Sequence, residues 1–308
     1  MLPLVSVALC TYNSGPFLGP MLESLLQQSW RNIEIVCSDD ASSDDTLQEL
    51  EKYRQQYPDI ISIYSNEKNI GYIKNFEKSL SLCTGDFIAI ADHDDIWKPH
   101  KITTLVNAIG DAMMVYSDSV YIDEEGNELE KKISDSFWLH PHPHPNAFAF
   151  YDFIWGHTIL LRKELLEYAL PIPPQMPYDT WLAYTAASIS SVNYVDETLT
   201  CWRQHSNSVT STMFEKNKQR KNSKNKKYEV HGQKLERIRL LTSNDYCGNK
   251  PFMESLYTHY ESIRKGYSWK FFFFLARHQK SLFPIWRRGY LSKLNEFRKM
   301  ARRVKNVS

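Results

Sequence analysis

Through the first half of the chain, short apolar runs alternate with longer amphipathic ones. Leu4 to Cys10, Ile33 to Cys37, Ile60 to Tyr64 and Phe87 to Ala91 are apolar over strand-like lengths, as strands buried on both faces are. Between them, Phe17, Leu18, Met21, Leu22, Leu25 and Leu26 recur at a spacing that gathers them on one helical face. Leu47, Leu50 and Tyr53 form a second stripe, with Ser43 positioned to cap it, and Tyr72, Ile73, Phe76, Leu80 and Cys83 form a third. Strand alternating with helix predicts an α/β domain whose parallel sheet is covered on both faces.

The pattern continues with a strand-like run from Met113 to Ile122. Trp138 to Asn146 then interrupts it with Leu-His-Pro-His-Pro-His-Pro, a loop because alternating prolines forbid a helix. Thr158 to Leu161, a helix from Tyr178 to about Ile189, and a strand-like Val192 to Trp202 restore order. Beyond Phe214 the composition changes, beginning with the cations of Lys216 to Lys227. The expected organisation is therefore residues 1–214 as the α/β domain and 215–308 as a helical, basic and aromatic extension.

Charge sharpens that division. The whole chain carries +1, yet residues 1–214 hold 13 Lys and Arg against 29 Asp and Glu, and the remainder holds 24 against 7. An acidic part that manages cations or polar ligands is joined to a basic part suited to an anionic surface. Among surfaces, interleaved rings and cations fit a membrane headgroup layer better than nucleic acid. The cysteines, Cys10, Cys37, Cys83, Cys201 and Cys247, are odd in number and widely spaced, which predicts free thiols in a reducing compartment. No leader pattern opens the sequence and no run spans a bilayer, so a cytoplasmic protein, peripheral on the inner face of the cell membrane, is expected.

In a parallel sheet, ligands bind beyond the carboxyl ends of the strands. Thr11-Tyr12-Asn13, Ser38-Asp39-Asp40 and Asp92-His93-Asp94-Asp95 follow three of the expected strands. Carboxylates brought to one edge repel unless a cation neutralises them, and Mn²⁺ or Mg²⁺ shares such ligands with substrate phosphates. Each group alone reads equally well as a helix cap or a turn.

Taken in order, Val5 to Asn13, Ser38 to Asp44, Asn69-Ile70-Gly71, Gly85-Asp86-Phe87 and Asp92 to Asp95 resemble family 2 glycosyltransferases of the GT-A fold over about residues 3 to 210. That fold is a Rossmann-like, mixed but mainly parallel sheet flanked by helices. The resemblance implies a nucleotide-sugar donor, UDP- or dTDP-linked, and a glycan acceptor, with Thr11, Tyr12 and Asn13 lining the nucleoside pocket. It implies Asp40 on the base edge, Asp92 near the ribose or sugar, and Asp94 as metal ligand. Asp179 in Tyr178-Asp179-Thr180-Trp181 looks like the catalytic base, although many members carry an acidic pair where Tyr178 stands. Trp202 to Val209 is similar to a Tyr-Arg-x-His-x-x-Asn pattern of rhamnosyltransferase-like and polysaccharide enzymes. There Arg203 would meet the diphosphate and His205 the metal. Lys74 stands near an arginine used for phosphate, and Trp181 reads either as an acceptor platform or as core.

Two other readings stay open at this stage. A phosphoacceptor receiver also sets acids after parallel strands, but it leaves Asp179 and Arg203-Gln204-His205 without a role. A non-catalytic nucleotide-sugar-binding protein would not need Asp92, Asp94 and Asp179 together. Nucleotidyltransfer fits less well, because the loop after the first strand carries no cation.

Overall fold

The computed structural model describes residues 2–205, 226–286 and 289–304. Contacts divide the chain into two compact units: one of residues 1–142 and 153–203, the other of residues 143–152 and 204–308. The boundary expected at Phe214 and the basic run from Lys216 lie outside the described residues.

The first unit is built on a sheet of β1 (Val5–Thr11), β2 (Ile33–Asp39), β3 (Ile61–Ser65), β4 (Phe87–Asp92), β5 (Ile96–Trp97), β6 (Met114–Ile122), β7 (Glu128–Lys132), β8 (Ile159–Arg162) and β9 (Val192–Arg203). Its order is β3-β2-β1-β4-β8-β6-β9-β5, with β7 on β6. The four strands read from the apolar runs pair in parallel as expected. Beyond β4 the sheet becomes mixed, because β8 is antiparallel to both β4 and β6.

Strand geometry explains the two-sided core. In β1, Val5, Val7 and Leu9 point to one face, where Leu18, Met21, Leu22 and Leu25 of α1 (Leu18–Leu26), Leu50 of α2 (Thr46–Gln56), and Ile102 and Leu105 of α4 (Lys101–Ala108) join them. On α3 (Tyr72–Leu82), Asn75 Nδ2 donates to Ser38 O at 2.8 Å and Ser79 Oγ to Val36 O at 3.2 Å, so that helix is fixed to β2. The short α5 (Leu166–Ala169) leads to α6 (Tyr178–Ile189), whose bounds match the sequence reading. The second helix begins at Thr46 after Asp45, so Ser43 is not its cap. Ser43 instead donates its backbone N–H to Asn13 Oδ1 at 2.8 Å.

The second unit contains α7 (Lys226–Ser243), α8 (Lys250–Glu261), α9 (Trp269–Arg277), α10 (Gln279–Leu282) and α11 (Tyr290–Met300). The end of the Pro-His segment belongs to it. Arg237 on α7 donates to Phe148 O at 2.8 Å and pairs with Asp152, while Phe150 stacks on Phe283, 5.8 Å between centroids. His144 caps the short turn that follows, accepting from Asn146 N at 3.1 Å.

All five cysteines are free; Cys10, Cys37 and Cys83 are buried. Burial pushes the Cys37 and Cys83 thiols up to about 12, which keeps them protonated and inert.

Candidate active site

The ends of β1, β2 and β4 lie side by side because Thr11 is in register with Asp39 and Cys10 with Asp92. Buried Asp39 accepts from Thr11 Oγ1 at 2.9 Å and from Ser42 N and Oγ at 2.9 and 2.6 Å. It thereby ties the two loops together. Asn13, at φ 48°, donates its N–H to Ser42 Oγ at 2.9 Å, while Tyr12 stands 48% exposed at the rim. Asp40 is buried, and its oxygens accept from Asn66 Nδ2, Ile70 N and Gly71 N at 2.9, 2.8 and 2.9 Å. Gly71, at φ 86°, makes the turn that delivers two of those N–H groups. Asp40 thus organises the Asn69-Ile70-Gly71 loop.

At the end of β4, Asp92, Asp95 and His157 bring one ligand atom each to within 4.8 Å of one another. His157 Nδ1 lies 3.8 Å from Asp92 Oδ2 and 3.8 Å from Asp95 Oδ2. Burial holds the imidazole below its ordinary value, although hydrogen bonding to Asp92 opposes this, so the ring is neutral near pH 7. Its Nε2 is 3.0 Å from Ser119 Oγ. If Nε2 carries the proton in that contact, Nδ1 turns a lone pair toward the carboxylates.

Asp95 is fully buried, and burial with Asp94 and Asp92 beside it raises its carboxyl well above the ordinary range. One oxygen accepts from Arg203 N at 3.0 Å; the other, Oδ2, has no hydrogen-bond partner among the described residues. Lys101 supplies a buried cation nearby. Its Nζ donates to His157 O at 2.6 Å and Thr200 Oγ1 at 2.8 Å and sits 3.5 Å over the Trp97 ring. Burial lowers this ammonium well below its usual value, against the pull of Asp95 and Asp92. Asp92 adds a second carboxylate to the same cluster. Together with the orphaned Asp95 oxygen and a neutral imidazole, this donor set fits a divalent cation.

Asp94 is partly exposed, and its backbone carbonyl accepts from Arg203 Nε at 2.7 Å. Arg203 also donates to Asp123 O and Glu124 O at 3.2 and 2.7 Å, and it is 4% exposed. Through these bonds Arg203, expected at the diphosphate, braces the Asp94-Asp95 loop.

Across the site, the buried Tyr178 stacks on Phe76 at 4.0 Å, and its ring presses on Gly156 so closely that a Cβ there would lie 1.9 Å from the phenolic oxygen. Burial raises this phenol well above its normal range, and the negative charges of Asp92 and Asp179 raise it further. The same ring thus feels both carboxylates. Asp179 is partly exposed in the first turn of α6, where Thr180 N donates to its Oδ1 at 2.7 Å. Lys74 pairs with Glu77 at 2.7 Å, with its side chain 38% exposed.

Of the two readings of Trp181, its burial favours core: it is 5% exposed, and its indole N–H donates to Ala169 O at 2.6 Å. His205 is partly buried and falls in the second unit's segment, and the end of its motif, Ser206 to Val209, lies outside the described residues. His157 and Lys101 were not singled out from the sequence. The signal for His157 is its place just before an apolar run, at the entry of a strand whose direction the pattern does not give.

A mixed sheet with acidic groups clustered at the ends of neighbouring parallel strands is the architecture of GT-A glycosyltransferases. Two solved structures share the fold. TarS of S. aureus, residues 1-349 in complex with UDP-GlcNAc, is 14% identical at a TM-score of 0.60, covering 97% of this chain and 90% of that one. The mannosyltransferase PcManGT of Pyrobaculum calidifontis, in complex with GDP-Man and Mn²⁺, is 14% identical at 0.55, covering 98% and 86%. Residues 6–169 match the model of glycosyl transferase family 2, and the chain belongs to that family. It is 29% identical over 215 residues to the Escherichia coli UDP-Glc:alpha-D-GlcNAc-diphosphoundecaprenol beta-1,3-glucosyltransferase WfaP, covering 68% of this chain and 81% of that one. It spans 68% and 65% of two further curated glycosyltransferases that it matches.

Proposed function

We propose that this glycosyltransferase is inverting and metal-dependent, and moves a sugar from a UDP- or dTDP-sugar to a hydroxyl of a lipid-linked glycan in cell-surface polysaccharide synthesis. The observation that carries this reading is the cluster of Asp92, Asp95 and His157 at the end of β4, beside which Tyr178, the chain neighbour of Asp179, packs on Gly156. Thr11, Tyr12 and Asn13 line the nucleoside side, Asp40 holds the loop beneath the base, Asp92 approaches the ribose or sugar, and Lys74 offers a cation to phosphate. Asp94, Asp92, Asp95 and His157 would hold Mn²⁺ or Mg²⁺. The mixed oxygen and nitrogen set favours Mn²⁺. When bound, the cation would supply Lewis-acid stabilisation of the departing diphosphate.

The protein's own share is acid–base work and alignment. Asp179 takes the proton of the acceptor hydroxyl as its oxygen attacks the anomeric carbon and the bond to the diphosphate breaks, a contribution of about 10² to 10⁴-fold. Single displacement from the opposite face inverts the centre. The WfaP name, with its diphosphoundecaprenol-linked acceptor, supports the lipid-linked assignment. A protein acting on such an acceptor works at the inner face of the cell membrane, and the basic second unit suits an anionic surface.

Thermal protection by UDP-, dTDP- and GDP-sugars with Mn²⁺ or Mg²⁺ tests the site. One donor should protect only with metal, and the protection should vanish in Asp94→Ala. Asp179→Asn should bind that donor normally and lose transfer; a variant that transfers at the wild-type rate refutes the base assignment.

A further inference from the structure

In the second unit, Tyr267, Trp269, Phe272 and Phe273 form a connected group of rings at the start of α9. Trp269 lies 4.9 Å from Tyr267, 5.8 Å from Phe272 and 6.1 Å from Phe273, and Phe272 lies 5.3 Å from Phe273. The group faces outward: Trp269 is 62% and Phe273 63% exposed, while Phe271 and Leu275 fill the core behind them. Helical spacing explains the split. Trp269 and Phe273 are four residues apart on one face, whereas Phe271 and Leu275 hold the opposite one. Ser268 begins the helix, its Oγ accepting from Phe271 N at 3.2 Å.

The rings are bordered by cations. Lys270 and Arg277 are exposed on α9 beside Trp269 and Phe273, and Lys265 is exposed just before them. From Lys265 to Val304 the sequence holds eleven Lys and Arg and a single acid, Glu296, which pairs with Lys299 at 2.8 Å. Further along, Tyr290 and Leu291 open α11 at 61% and 80% exposed. Contiguous exposed rings of this kind mark an interaction surface, because scattered single apolar residues are the ordinary condition of protein exteriors.

We infer that the face made by Tyr267, Trp269, Phe272 and Phe273, with Lys270 and Arg277 at its edge, docks on an anionic lipid bilayer. This rests on the reading of a lipid-linked acceptor and names the surface that meets the membrane. Charge complementarity selects the occupant. A partner for a face edged by Lys265, Lys270 and Arg277 must be negative, and one for clustered rings must have an apolar layer just beneath that charge; a bilayer of acidic lipids has both. No helix among the described residues is long and apolar enough to cross a membrane, so the contact lies in the plane of the headgroups.

Co-sedimentation of the full chain with vesicles tests this, using phosphatidylcholine alone and phosphatidylcholine mixed with phosphatidylglycerol. Binding should require phosphatidylglycerol and weaken about tenfold or more in W269S/F273S and in K270E/R277E. Both pairs are exposed, so their thermal melting should match wild type. Trp269 should also shift to shorter emission wavelength on vesicles, a change absent in W269S/F273S. Equal binding to neutral vesicles, or undiminished binding by both variants, overturns the inference. So does a dimer that W269S/F273S abolishes in a protein that ignores vesicles. Metal-dependent donor protection is measured on the same samples. Its loss with vesicle binding intact strikes the catalytic reading, and its retention without vesicle binding strikes only this one.

Discussion

Asp92 and His157 face one another across the β4–β8 pair, with 3.8 Å between Oδ2 and Nδ1. Phe87 pairs with Arg162 and Ala89 with Leu160, and the same register extended to the end of β4 sets Asp92 opposite His157. A residue that precedes β8 in sequence thus stands where the parallel strands end. Replacing His157 by Ala should weaken Mn²⁺ activation of transfer by about 10- to 100-fold. The measurement is the Mn²⁺ concentration for half-maximal rate; an unchanged value removes His157 from the cation site.

Lys101 is fully buried beside this cluster, held by His157 O, Thr200 Oγ1 and the Trp97 ring. Lys101→Met should cost about 1 to 3 kcal/mol, because it removes a buried donor from His157 O and Thr200 Oγ1. Adding Asp95→Asn should restore part of that stability. A double-mutant cycle by urea unfolding reads the coupling, and strictly additive losses would show that the two residues do not compensate each other.

Gly156 has no room for a side chain, since a Cβ would meet Tyr178 Oη at 1.9 Å and Cζ at 2.7 Å. Gly156→Ala should destabilise by about 1 to 3 kcal/mol through overpacking. It should also impair donor protection, because Tyr178, the chain neighbour of Asp179, must move from its place against Gly156 beside His157. Wild-type melting and donor protection together would contradict this packing.

Glu34 gives a pH signature remote from the site. Burial raises its carboxyl, but hydrogen bonds from Ser6 Oγ and from Thr84 N and Oγ1, at 2.5, 2.6 and 2.8 Å, outweigh that and lower it overall. A carboxyl lowered by folding stabilises the protein above its unfolded value and ceases to do so as pH falls through its folded one. Glu34→Gln should therefore cost stability at pH 7 and lessen the decline below about pH 4.5. Parallel stability curves for the two proteins would exclude this role.

The sequence by itself determined the parallel half of the sheet, the stripes of α1 and α3, and the bounds of α6, because each signal is local: period two for strands, three to four for helices. It also brought Asp92, Asp94 and Asp40 to one edge, since residues after parallel strands share an end. Tertiary structure alone decided the rest. Direction in β8 put His157 at the site, and a run of three apolar residues, Ile159 to Leu161, reads the same both ways. Burial turned Trp181 into core and Arg203 into a brace, and residue type does not say whether an indole or a guanidinium is already satisfied from within. The segment from Pro143 to Asp152 joined the helical unit through Arg237, Phe150 and Phe283. Such contacts join residues some 90 to 130 positions apart, where no periodicity reaches.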